Sequence, residues 1–135
     1  MKNRRDYEPL ARTIKALAHP TRLFIIRQLE KRKHCVCELR DLCGLDISTI
    51  SKHLALLKEA GVVTDEKQGQ MVFYSLCATC ILPFLDCMKS VALRKAKENL
   101  GRYEKKMKKR VKKGRRSVNS FTIGRRARNG PGFDL

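Results

Sequence analysis

Asp46-Ile47-Ser48-Thr49-Ile50-Ser51-Lys52-His53-Leu54-Ala55-Leu56-Leu57-Lys58-Glu59-Ala60-Gly61 is the stretch whose pattern decides the architecture. Asp46 is a strong N-cap, since its carboxylate can accept the free amides of a first helical turn. Ile47, Ile50, Leu54 and Leu57 then recur at helical spacing along one side. Gly61 supplies the left-handed stop. The other side carries Ser48, Thr49, Ser51, Lys52 and His53. Small polar side chains at a helix N-terminus allow close approach to base edges in a DNA major groove, while Lys52 and the helix N-terminus meet phosphate.

Upstream, a short helix is expected from about Cys37 to Cys43, with Leu39 and Leu42 facing inward and Gly44 closing it. The two helices and their tight turn form a helix-turn-helix. Downstream, Val62 to Glu66 and Met71 to Leu76 are rich in β-branched and aromatic residues, and Lys67-Gln68-Gly69-Gln70 between them reads as a hairpin turn. That hairpin is a wing, whose Lys67, Gln68 and Gln70 can touch the adjacent DNA backbone or minor groove.

Further outward, Tyr7 to Ala18 carries Leu10, Ile14 and Leu17 on one helical face, and Pro20 opens a second helix through Leu23, Ile26 and Leu29. His19 is expected to cap it. Lys31 to His34 reads as a basic connector with His34 at the surface, the alternative for His34 being an accessory ligand beside Cys35. A fifth helix starts near Thr79, with Ile81, Phe84, Leu85 and Met88 apolar, and dissolves into a basic tail that is expected to be disordered from about residue 115. The fold class is therefore mainly α with a small β-hairpin. Residues 1–100 form the DNA-binding and dimerisation domain and 101–135 a basic extension and tail.

The chain has 135 residues and a formal net charge of +18. That length suits one core, and that charge favours polyanionic partners, nucleic acid first. No apolar run approaches the roughly 20 residues that span a bilayer, so no membrane role and a cytoplasmic location are expected. The basic run from Arg102 to Arg116 could extend a DNA footprint through phosphate contacts. No Gly-rich phosphate loop and no nucleophile with a base partner is present, so an enzyme is not expected.

Six cysteines stand at 35, 37, 43, 77, 80 and 87. In a reducing cytosol such thiols are more often ligands, redox switches or core residues than disulfides. Cys35 and Cys37 sit at the start of the short third helix beside Lys31, Arg32 and Lys33, a setting that favours thiolates. If Cys35 lies just before the first turn, both sulfurs can converge on one ion. Cys77 and Cys80 form a C-x-x-C step that can share an ion. Cys87 lies about 10.5 Å along a helix from Cys80 and cannot join it on one ion. Cys43 reads as core.

Ala18-His19-Pro20-Thr21-Arg22-Leu23, Cys35-Val36-Cys37-Glu38-Leu39 and Ser48 to Val63 together resemble the successive signature segments of the ArsR/SmtB family of metal-responsive repressors. The resemblance covers roughly residues 7 to 95. It implies a winged helix-turn-helix homodimer, joined through its first and last helices, that binds operator DNA and leaves it when inducer binds. Cys35-Val36-Cys37 resembles the thiolate site of arsenite, antimonite, cadmium and lead sensors, ions that soft sulfur ligands suit. The arsenite-type pattern has a third cysteine where this chain has Arg40, and the cadmium-type arm thiolates are missing. Cys77 and Cys80 either complete the site, within or between protomers, or form a second one. The family's other site, built from Asp and His on the last helix, is excluded because no histidine follows His53.

Two other readings fit parts of the pattern. Basic flanks serve a thiol redox or persulfide sensor equally well. The tail alone would suit a nucleic-acid-binding protein without sequence preference.

Overall fold

A computed structural model describes residues 2–122. The chain divides between Pro83 and Phe84 into two units. The first opens with a short 3-10 turn, Arg4–Tyr7, followed by α1 (Glu8–Leu17) and α2 (Pro20–Lys31). His19 is the N-cap of α2: its ring nitrogen accepts the Thr21 amide at 3.1 Å, and Pro20 begins the first turn where its missing N–H costs nothing. β1 (His34–Cys35) leads into α3 (Val36–Cys43), which Gly44 closes at φ 66°. α4 (Ile47–Glu59) has Asp46 as its N-cap, and Gly61 follows it at φ 73°.

β2 (Val63–Gln68) and β3 (Met71–Leu76) pair antiparallel, with Gln68 opposite Met71. The connection is therefore only Gly69-Gln70. Gly69 has φ 62° and Gln70 does not share that sign, the pattern of a type II′ turn that suits strand twist. β1 adds to the other edge of β3, in the order β1-β3-β2, with His34 opposite Tyr74 and Cys35 opposite Phe73.

The core of this unit is drawn from α1 to α4, β1 and the wing's base: Leu17 of α1, Ile25, Ile26 and Leu29 of α2, Cys35 of β1, Leu39 of α3, Ile50, Leu54 and Leu57 of α4, and Val62 and Val63. Fully burying one such aliphatic side chain contributes about 1.5–3 kcal/mol. Ile47, Leu42 and Cys43, all expected in the core, are not in it. Ile47 is 49% exposed, because it occupies the first turn of α4 at the edge of the core, and Leu42 is 48% exposed near the end of α3. His34 departs in the opposite direction. It is buried, not at the surface, because the basic connector ends in a strand held by β3. Cys43 is half-buried, and that burial raises its thiol above the usual range.

α5 (Ile81–Thr122) starts at the end of the first unit and makes up the described part of the second. It begins two residues later than expected and continues past residue 115, where the tail was expected to start. Residues 123–135, which carry the rest of that expected tail, lie outside the described residues. Along α5, Phe84, Met88 and Val91 are exposed, as are Leu93, Leu100, Tyr103, Met107 and Val111. Among the described residues no helix is long and apolar enough to cross a membrane.

Candidate nucleic-acid interface and thiol site

α3, the turn at Gly44 and α4 form the expected helix-turn-helix, and the structure sorts the outward residues of α4 into two kinds. Ser48 and Thr49 serve the helix itself. The Asp46 carboxylate accepts the Thr49 amide at 3.0 Å, the Thr49 hydroxyl at 2.6 Å and the Ser48 hydroxyl. These donors, the Ser48 hydroxyl foremost, hold the Asp46 carboxyl far below the usual carboxylate range. Ser51 and Lys52 are exposed beyond them. They are the polar side chains of α4 best placed to reach outward.

His53 is half-buried and turned inward. Its Nδ1 lies 3.4 Å from Arg22 Nη1, and its ring centroid lies 4.5 Å from that of His19. Burial first, then His19 and Arg22, lower its pKa below the ordinary 6.5. Arg22 also ties down α1: its Nε donates to the Ala16 carbonyl and its Nη2 to the Lys15 carbonyl at 3.3 Å. A guanidinium on the last carbonyls of a helix meets both the unsatisfied acceptors and the negative end of the dipole. Sequence reasoning quoted Arg22 within a segment but gave it no role. The signal was an arginine just after a helix break, where it can reach back to the helix end.

In the wing, Lys67 and Gln70 are exposed, while Gln68 donates to Glu66 at 3.3 Å. The wing's inner end is tethered to α4 by Lys58 and Asp65, 2.8 Å apart. Such a surface pair is worth only about 0–1 kcal/mol.

The thiols present a different geometry. Cys35 is 2% exposed and is the N-cap of α3; its sulfur accepts the Glu38 amide at 3.4 Å. Cys37 follows in the first turn and is half-exposed. The neighbouring Cys35 thiol is the main cause that raises the Cys37 thiol above its ordinary value. Cys35 as the N-cap and Cys37 in the first turn meet the condition for both sulfurs to turn toward one ion. Glu38 buttresses the pair. Its carboxylate accepts the Cys35 amide at 3.2 Å and is held by Arg32 and His34, each at 3.0 Å. Sequence reasoning gave Glu38 no part here and offered His34 only as an accessory ligand. A glutamate three residues after an N-cap is the signature of a capping box.

Cys77 and Cys80 do not join this pair within the unit. Cys35 lies opposite Phe73, and Cys77 is about 13 Å further along at the rise of a strand, whereas sulfurs on one ion sit within about 4 Å. The Cys77 thiol donates to the Gly61 carbonyl at 3.2 Å. Cys77, Cys80 and Cys87 are all exposed, and Arg40 pairs with Asp41 at 2.8 Å. Among the described residues no group of three or more His, Cys, Asp or Glu side chains is arranged to hold a metal ion. The two thiols fit a thiophilic ion in donor type, and alone they would offer it two ligands.

Residues 19–65 match the family described as bacterial regulatory protein, arsR family. Three relatives bear on the reading. The HTH-type transcriptional repressor SmtB of Mycobacterium tuberculosis is 44% identical over 63 residues, 47% of each chain. The arsenical resistance operon repressor of Escherichia coli K12 is 46% identical over 63 residues, 46% of this chain and 54% of that protein. The HTH-type transcriptional regulator Rv0081 of Mycobacterium tuberculosis is 36% identical over 89 residues, 65% of this chain and 78% of that one. The chain thus spans about half the length of the first two.

The crystal structure of Rv0081 superposes with a TM-score of 0.65 at 32% identity, over 73% of this chain and 99% of that one. The solution structure of the homodimeric winged helix-turn-helix DNA-binding domain of Mb0332 from Mycobacterium bovis gives a TM-score of 0.60 at 26% identity, over 68% of this chain and 87% of that one.

Proposed function

The chain belongs to the ArsR family of bacterial regulatory proteins, and from this we propose a sequence-specific, homodimeric DNA-binding repressor that leaves its operator when a thiophilic metal or metalloid ion binds Cys35 and Cys37. The observation that carries the reading is the position of the thiol pair. Both cysteines sit at the first turn of α3, the helix that leads into and packs on α4. Drawing two sulfurs onto one ion changes the start of α3, and α4 moves with the helix it packs on.

In the operator complex, Ser51 and Lys52 of α4 reach the major groove and Lys67, Gln68 and Gln70 of the wing the flanking backbone. Ser48 and Thr49 contribute through the helix N-terminus that they and Asp46 hold together. A soft ion supplies strong bonds to thiolate, and arsenite, antimonite, cadmium and lead are the inducers this donor type suits. The similarity to an arsenical resistance repressor supports arsenite first. A third ligand then comes from outside the protomer's own thiol pair, with Cys77 or Cys80 of a second copy as the proposed source.

Exposed Leu10 and Ile14 on α1, with Tyr7 just before it, and Phe84, Met88 and Val91 on α5 are apolar faces that a second copy covers in this reading. The similarity to a homodimeric domain supports the same. Residues 1–100 serve as the binding and dimerisation part and 101–135 as a basic extension. A reducing cytoplasm keeps the thiols available.

The test is to titrate arsenite, cadmium, lead, copper(I) and zinc into the reduced protein bound to a fluorescent duplex that it has selected from a random-sequence pool. Anisotropy and thiolate absorption are followed for wild type and Cys35→Ser. Release by a soft ion in wild type only supports the reading. Release by a mild oxidant alone replaces it with a thiol redox switch.

A further inference from the structure

We infer that His53 is a positioning residue for operator recognition, one that pins α4 to the corner between α1 and α2 through Arg22 and His19 and does so only as a neutral imidazole. The inference rests on the reading of α4 as the recognition helix.

Arg22 is permanently protonated and has no acceptor. Its Nε and Nη2 are taken up by the Ala16 and Lys15 carbonyls, which fixes the guanidinium plane on the end of α1. Nη1 is then directed at His53 Nδ1, 3.4 Å away, and can only donate. His53 Nδ1 must therefore accept, which places the proton of the neutral ring on Nε2. His19 is constrained in the same way, since its Nδ1 accepts the Thr21 amide. The two rings meet at 4.5 Å with a 40° tilt.

Three elements thus converge on one junction: the last turn of α1, the first of α2 and the middle of α4. Protonating His53 would set an N–H donor against an N–H donor and a cation against Arg22. The groups that bear on the ring are His19 and Arg22, and among the described residues no carboxylate acts on it to offset them. Burial of the ring works in the same direction.

The junction separates two roles by the sign of a pH effect. A histidine that touches phosphate binds DNA more tightly when charged. A histidine that positions α4 while neutral gives weaker binding as it becomes charged, within the range from pH 5 to 8 where histidine changes charge.

The experiment uses the full-length, metal-free protein and a fluorescent duplex that it has selected from a random-sequence pool. Affinity is measured by anisotropy at constant salt from about pH 8 down to about pH 5.5. Wild type is expected to weaken on the order of tenfold, the factor that corresponds to one unit of difference in proton affinity between free and bound states. His53→Asn keeps an acceptor for Arg22 and carries no charge. It is expected to retain the wild-type affinity at high pH and to lose the pH dependence. His19→Asn keeps a good N-cap but removes one of the two groups that lower the His53 pKa, so its loss of affinity is expected to set in at higher pH than in wild type.

Tighter wild-type binding at low pH, an unchanged profile in His53→Asn, or a loss confined to one base position would overturn the inference in favour of direct contact. If the variant does not fold, the wild-type imidazole is titrated by NMR with and without duplex. Positioning requires that DNA lower the His53 pKa, whereas phosphate contact raises it. Failure to select any duplex would instead remove the recognition helix itself, an outcome distinct from selection with the wrong pH sign.

Discussion

Cys35 and Glu38 close the start of α3 on each other: the sulfur accepts the Glu38 amide at 3.4 Å while the Glu38 carboxylate accepts the Cys35 amide at 3.2 Å. The residue proposed to sense the inducer is therefore also the residue that begins the helix. Any ion that recruits the Cys35 sulfur competes with the cap, and the first turn must adjust.

Cys35→Ser is expected to fold with little change in Tm, because serine is itself a good N-cap. The same variant should lose most of the thiolate absorption that a soft ion induces. Glu38→Ala should do the converse in part: it removes the partner of Arg32, His34 and the Cys35 amide, lowers Tm, and weakens ion binding although both thiols remain. Thermal melts together with ultraviolet titrations distinguish the two. Retention of wild-type ion affinity in Glu38→Ala would show that the buttress does not shape the site.

Asp46 joins helix stability to acid behaviour. Its folded pKa lies far below the unfolded value of 3.8, with the Ser48 hydroxyl as the first cause. Its contribution is therefore fully present above the unfolded pKa and is lost as pH falls through the folded one. Asp46→Ala should lower Tm at neutral pH and reduce operator affinity by fraying the N-terminus of α4. Asp46→Asn should keep the cap but flatten this acid-dependent loss, as melts from neutral to strongly acidic pH would register.

Burial sets the two ends of the apolar stripe on α4 apart. Leu54 is fully buried, and Leu54→Ala is expected to cost about 2–5 kcal/mol in urea unfolding. Ile47 is 49% exposed, and Ile47→Ala should fall within about 0.5 kcal/mol. Equal costs at the two positions would mean that something covers Ile47 in solution.

Lys52 and Lys67 are both exposed, one on α4 and one in the wing. Each changed to alanine should lower the slope of log Kd against log salt by about 1 and weaken binding to all sequences alike. Ser51→Ala, at a residue facing the groove, should instead alter base preference with the salt slope unchanged. Anisotropy titrations at several salt concentrations separate these outcomes.

The wing and the helix-turn-helix were legible because their signals are local. Asp46 and Gly61 mark the two ends of α4 through cap chemistry that acts within a few residues, and Gly69 sets the hairpin turn in the same way. The position of Cys35 just outside α3 was legible for a related reason, since it is a matter of one residue's backbone. What the chain alone left open was the company each side chain keeps.

Local preference, acting over a single helical turn or hairpin, is written in the order of residues, and it determined α1 to α4, the wing, the caps of α2 and α4 and the basic character of the chain, but not β1 or the extent of α5. Partnership across the fold depends on which elements meet and in what register. His34 reads as part of a basic connector until β1 pairs it with Tyr74 and buries it. His53 reads as a groove-facing residue until Arg22 and His19, more than thirty residues earlier, are brought against its ring. Cys77 reads equally as a ligand beside Cys35 or as part of a second site, and the register of β3 then sets it far from the Cys35 of its own protomer. Each of these follows from closing long loops between distant segments, and only the tertiary structure records which closures the chain makes.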